Sequence, residues 1–177
     1  MAARAALFGV LAALAWPAGA LAVIGDTSGG TAPPAGAPAP TTVAAVTLTA
    51  GVARTSATAP RAVQLAVRAG NRLKHKAYRY GGGHKSFKDA AYDCSGTVSY
   101  VLHAAKLLAS PLDSSGLMTW GAPGPGSWIT VYANASHAFM VVGGLRLDTS
   151  GPGPSGPRWR ALPRSLDGFT ARHPLGL

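Results

Sequence analysis

Residues 25–60, GDTSGGTAPPAGAPAPTTVAAVTLTAGVARTSATAP, decide where this chain can fold. They contain no aromatic side chain, one acid (Asp26) and one base (Arg54). A stretch dominated by Gly, Ala, Pro, Ser and Thr buries too little apolar area to offset the entropy of ordering it. It reads as a spacer, and only TTVAAVTLTAGVA (41–53) within it has strand character. Ahead of it, residues 1–22 carry Arg4, an apolar run from Ala5 to Trp16, then Pro17, Gly19 and small residues ending at Ala22. That is the three-part layout of a secretory signal peptide, cleaved after Ala22. The alternative is an uncleaved membrane anchor, because the apolar character continues to Ile24. The expected organisation is a signal peptide at 1–22, a disordered linker at 23–60 and one folded domain at 61–177. Such a domain is large enough for a single core. Export implies a secreted or cell-wall location, with no stable membrane span after cleavage.

The chain has 16 Lys and Arg against 6 acidic residues, a net charge of +10. All six acids are aspartates. A basic surface of this kind attracts polyanions. Anionic wall polymers suit an exported protein better than nucleic acid. The bases are scattered, without the interleaved aromatics of a nucleic-acid stacking platform, so no nucleic-acid partner is expected.

Residues 60–80 carry Ala62, Ala66, Ala69, Leu73 and Ala77 at helical spacing and predict a first helix, with Pro60 at its start. GGGH (81–84) ends it. A second helix begins at Asp93, whose carboxylate can cap free N–H groups of the first turn. Its apolar stripe is Cys94, Val98, Val101, Leu102, Ala105 and Leu108. Residues 110–127 read as loop, SWITVY (127–132) as a strand and NAS (134–136) as a turn. HAFMVV, two glycines and LRLDTS (137–150) read as a hairpin with a primed turn. Residues 158–174 are expected to add one or two short edge strands. Helices followed by hairpin strands predict an α+β fold with helices on one antiparallel sheet.

Cys94 is the single cysteine. At the first turn of a helix, the positive end of the macrodipole favours thiolate over thiol. A small apolar cysteine heading a buried stripe is equally ordinary core. A nucleophile needs a base within hydrogen-bond reach. His137 heads the most apolar strand, and a strand facing the second helix would carry His137, Phe139 and Val141 on one side. A two-residue turn at Gly143-Gly144 pairs Val142 with Leu145, and so Phe139 with Asp148. That register sets Asp148 on the His137 side, where it could orient the imidazole. It also sets Arg146 there. A turn one residue longer would reverse the parity.

AYRYGG, then DCSG opening a helix, then a strand led by His with a polar residue on the next strand, resembles the NlpC-type family of peptidoglycan cysteine peptidases. The likeness covers residues 62–150, and GPGSWITVY (124–132) resembles the Pro-Gly strand that precedes the family histidine. It implies a papain-like fold and a triad of Cys94 as nucleophile, His137 as base and Asp148 as orienting group. It further implies that Tyr78 assists near the thiol, and that Asp93 and Ser95 bind the stem peptide near its free amine. The implied reaction cleaves stem peptides of the bacterial wall, often at the γ-D-glutamyl bond to a diamino acid. It needs no metal and no cofactor. Tyr80 stands where Trp is more usual, Asp148 fits the third position only after a one-residue shift, and residues 151–177 have no family counterpart. Two alternatives stay open: an inactive wall-binding module, and an amidase or acyltransferase on the same fold.

Overall fold

The computed structural model describes residues 46–161 and 164–177. The expected signal peptide (1–22) and the first part of the expected linker (23–45) lie outside the described residues. Elements run in the order β1 (Val46–Thr49), β2 (Val52–Thr55), α1 (Arg61–Leu73), β3 (Ala77–Tyr78), β4 (Ala91–Tyr92), α2 (Cys94–Ala104) and α3 (Ser114–Thr119). Then come β5 (Ala122–Pro123), β6 (Ile129–Ala133), β7 (Ala138–Val142), β8 (Leu145–Asp148), β9 (Arg158–Arg160) and β10 (Thr170–His173). Mixed helix and antiparallel sheet make this an α+β protein.

The expected linker at 23–60 is corrected over its last part, because β1 and β2 form a hairpin that belongs to the folded unit. Its turn residues Ala50 and Gly51 are both left-handed, with φ of 48° and 73°, as a primed hairpin turn requires. Val46 is 1% exposed, and its N–H donates to the Gly143 carbonyl at 3.1 Å. The Asn71 side chain clamps the other strand. Its Oδ1 accepts from Ala53 N–H and its Nδ2 donates to Ala53 O, both at 2.9 Å. The hairpin needs no core of its own: it lays Val46 and Ala53 onto the core shared by α1 and the sheet.

Helix α1 buries Val63, Ala66, Val67, Ala69, Gly70 and Leu73. It stops at Leu73 rather than reaching Tyr80, because residues 77–78 become extended and pair in parallel with β4. Gly70 lies against the Trp159 ring, which occupies the place a β-carbon would need. Helix α2 starts where the sequence places it, with the Asp93 carboxylate accepting from Gly96 N–H at 2.7 Å. It is buried on more than one stripe, including Ser95, Gly96, Thr97 and Ser99. Helix α3 interrupts the segment read as loop, capped in the same way by Asp113 on Gly116 N–H at 2.7 Å.

The main sheet has the order β5-β10-β6-β7-β8-β9 and is antiparallel throughout. Strand β9 is an edge, as expected of the tail. Strand β10 is not, since it lies between β5 and β6. The hairpin register is Val142 opposite Leu145, and Gly143 and Gly144 have φ of 53° and 86°. One sheet face carries Ile129, Val131, Met140, Val142, Leu147 and Trp159 into the core with the helices. The expectation that His137, Phe139 and Val141 face the second helix is therefore corrected. Alternation along β7 gives the helices Ala138, Met140 and Val142, and turns the other set to the opposite face. There Phe139 stacks on Tyr132 and meets Phe169 edge-on, each at 5.1 Å between ring centroids.

Candidate active site

Three elements converge on Cys94. Helix α2 brings the cysteine in its first turn, half-buried. The turn before β7 brings His137, held there because Asn134 Oδ1 accepts the N–H groups of Ser136 and His137 at 3.0 and 2.9 Å. The last residue of β8 brings Asp148. His137 reaches the helix start although its strand face points away, because it lies at the strand end, beyond the cover of the sheet.

His137 Nε2 lies 2.9 Å from Asp148 Oδ1, whose side chain is wholly buried. With Nε2 committed, Nδ1 is the ring nitrogen left for the thiol. Asp148 is itself well anchored. Its Oδ1 accepts from Ser150 N–H at 2.8 Å and from Ser150 Oγ at 3.0 Å. Its Oδ2 accepts from Arg164 at 2.8 Å. Ser150 Oγ is 3.3 Å from His137 Nε2 and accepts from Arg164 at 2.9 Å. The Arg164 guanidinium lies over the Phe139 and Phe169 rings at 4.9 and 5.1 Å.

The electrostatics follow from these contacts. Burial pushes the Cys94 thiol up, but the His137 ring, the Ala138 backbone N–H and the His137 charge outweigh it, and its pKa falls below the ordinary value. Burial pushes His137 down, while the bond and charge of Asp148, helped by Cys94, raise it to about 9. Burial also opposes the charge on Asp148, yet His137, Ser150 N–H and Arg164 hold it well below the carboxylate range. The site therefore favours thiolate beside imidazolium over the neutral pair.

Asp93 and Ser95 lie beside the thiol and are both 3% exposed. The Asp93 carboxylate accepts from Gly81 N–H at 2.9 Å as well as from Gly96. His84 Nε2 stands 3.0 Å from Asp93 and 3.1 Å from Ser95 Oγ. Tyr78 is 41% exposed, and the charges of Cys94 and Asp93, after burial, raise its pKa. The structure thus brings Tyr78, Asp93 and Ser95 close to Cys94, and His137 with its Asp148 partner as well. Sequence reasoning assigned no role to His84, Ser150 or Arg164. The DTS run offered a signal for Ser150, two residues past the aspartate. No motif marks His84, which the loop ahead of α2 folds back onto Asp93 and Ser95, or Arg164, which arrives from sixteen residues beyond Asp148.

No family model and no curated protein matches the chain. Among solved structures, it is similar to a cysteine-mutated form of the Resuscitation Promoting Factor Interacting protein RipA. The TM-score is 0.47 and the identity 22%, over 64% of this chain and 65% of that one. The matched part thus spans less than two thirds of that chain.

Proposed function

We propose that this protein is a thiol hydrolase that cleaves amide bonds in peptidoglycan stem peptides. The observation that carries the proposal is the Cys94–His137–Asp148 constellation, drawn from a helix start, a strand start and a strand end. Structural ion pairs also perturb pKa values, but a half-buried thiol held as thiolate beside a carboxylate-bound histidine fits a nucleophile and its acid–base partner. The motif order in the sequence supports the substrate class, and the N-terminal layout supports export.

In this mechanism the Cys94 thiolate attacks the scissile carbonyl and forms a tetrahedral oxyanion. Backbone N–H groups at the start of α2 stabilise that charge, with Tyr78 at hand. His137, protonated at the outset, gives its proton to the departing amine as the C–N bond breaks. The neutral ring then takes a proton from water, which attacks the thioester and releases acid and thiolate. Asp148 holds the ring by Nε2 throughout and stabilises the imidazolium. Asp93, Ser95 and Tyr78 bind the stem peptide beside the thiol. The γ-D-glutamyl bond to a diamino acid is the scissile bond.

The test is release of soluble fragments from purified peptidoglycan by the wild-type chain beside Cys94→Ala. A new amine on the diamino acid, seen with the wild type alone, supports the proposal. Equal release by both proteins refutes it, and binding to peptidoglycan with no release by either leaves a wall-binding module. Products carrying a transferred acyl group would identify an acyltransferase instead.

A further inference from the structure

The sheet face turned away from the helices carries a cavity of about 830 Å³. Arg146 enters it from β8, Arg160 from β9, and Arg164 from the segment before β10. Ser150 and the Phe169 ring also line it.

Two of its three guanidiniums, those of Arg146 and Arg160, are under-partnered. Arg146 is only 8% exposed, yet its buried Nε has no hydrogen-bond partner. The nearest acid is Asp148, with Oδ2 at 3.6 Å, and that oxygen already accepts from Arg164. Arg160 donates from Nη1 to the Pro152 carbonyl at 2.8 Å, while its buried Nε and Nη2 have none. Burial and mutual repulsion press on both side chains and lower their pKa values. Buried guanidinium groups without partners cost stability, so the arrangement is complete only with a counter-ion.

The chain has little to supply one. Of its six acids, Asp89 pairs with Arg79, Asp93 serves the α2 start and Asp113 caps α3. Asp167 lines the cavity rim, but it is exposed and accepts from Ser165 at 2.8 Å. Asp26 lies outside the described residues. The charged residues that line the cavity, Arg146, Arg160, Arg164 and Asp167, sum to 3 − 1 = +2, and Asp148 beside them is matched by the His137 imidazolium. A dianion balances that charge, and guanidinium forks match the oxygens of a phosphoryl group. The volume exceeds what a bare phosphate needs, and lies in the range of small organic ligands at about 300–1,000 Å³.

We infer that this cavity binds a phosphate monoester, its phosphoryl group held by Arg146, Arg160 and Arg164 and its organic part resting against Phe169. The inference goes beyond hydrolysis at Cys94 and does not depend on it.

The test is thermal unfolding of the full chain, at constant ionic strength, with inorganic phosphate, glycerol 2-phosphate, dimethyl phosphate and acetate in separate titrations. Glycerol 2-phosphate should raise the midpoint by several degrees at lower concentration than inorganic phosphate, and dimethyl phosphate and acetate should do far less. A response led by inorganic phosphate alone would overturn the ester. A response matched by acetate or dimethyl phosphate would overturn the dianion site. Arg160→Gln should unfold no lower than wild type without ligand and should weaken the phosphate response at least tenfold. An undiminished response in this variant overturns the proposal. Should the variant not fold, the wild type still decides. Bound glycerol 2-phosphate should slow phenylglyoxal modification of Arg160 several-fold and leave exposed Arg54 unaffected, and equal slowing at both refutes the site. Cys94→Ala should keep the full phosphate response, which separates this result from the fate of the hydrolase proposal.

Discussion

Replacing Asp148 by Asn keeps the size of the side chain and an acceptor oxygen, but removes the charge that holds His137 as imidazolium. The magnitude follows from the site. The raised value of about 9, against an ordinary 6.5, corresponds to about 3.4 kcal/mol at about 1.36 kcal/mol per pH unit. Burial opposes the charged ring, and Asp148 is the leading contribution on the other side. Without that carboxylate the ring should titrate well below 9, back toward the ordinary 6.5, which sets the limit of the effect. At pH 7.5 the imidazolium-to-imidazole ratio then falls from about 30:1 to about 1:10, a change of roughly 300-fold. The sign at Cys94 follows, because the His137 bond and charge are what lower the thiol; its pKa should rise. The thiolate–imidazolium pair exists above the Cys94 value and below the His137 value, so the variant loses the window from both sides. The assay is the rate of Cys94 alkylation by iodoacetamide from pH 5 to 10, read beside the pH profile of peptidoglycan cleavage. Wild type should alkylate at lower pH than an ordinary free thiol, with cleavage declining near pH 9. Asp148→Asn should need a more alkaline solution to alkylate and should cleave at least tenfold more slowly at pH 7.5. Because the two groups titrate as a coupled pair, it is the displacement of the whole profile that counts. Superimposable profiles would refute the role of Asp148.

Further outcomes can be checked in the same preparation. Asn71→Ala should destabilise the fold by about 2–4 kcal/mol in urea unfolding, since Asn71 Oδ1 also accepts from Trp159 Nε1 at 3.0 Å and two N–H donors lose their acceptor. An unchanged midpoint would mean that the β1–β2 hairpin contributes nothing to the domain. Gly143→Ala should cost about 1–3 kcal/mol, because it forces a left-handed alanine into the turn, with its β-carbon 2.6 Å from Val46 Cγ2. In acid, the folded Asp148 pKa lies below the ordinary 3.8. Its contribution to stability is therefore full above that value and disappears as pH falls through the folded one. Asp148→Asn should accordingly flatten the loss of stability below pH 4 in circular dichroism titrations.

Much of the site geometry was legible because it rests on short-range rules. Asp93 before a helical stripe marks the α2 start and so the place of Cys94. Two glycines between apolar runs set a primed turn, and the period of two along each strand then carries Asp148 to the His137 side. These inferences need only neighbours along the chain or across one turn. The face reading of β7 failed because alternation tells which residues share a side, not which side meets a helix. That depends on where α1 and α2 pack. His137 still reaches Cys94 because a strand-end residue is not confined by the sheet.

Two features were settled only by tertiary contact. Residues 46–55 are too poor in apolar groups to fold by themselves, and composition alone marks them as spacer. The structure folds them because Asn71 and the Gly143 carbonyl satisfy their backbone, and the existing core receives Val46 and Ala53. The arginine cavity was invisible for a related reason. Arg146 was legible as a neighbour of Asp148, but Arg160 and Arg164 join it through an edge strand and a returning segment. Sequence alone determined the helix start and the chemical identity of the groups gathered at the candidate site, and it pointed to the hairpin register through the two glycines, since local hydrogen bonding and backbone sterics govern these features. Tertiary structure decided which face is covered, what stabilises β1 and β2, and where three like charges gather, because each depends on pairing residues far apart in the chain.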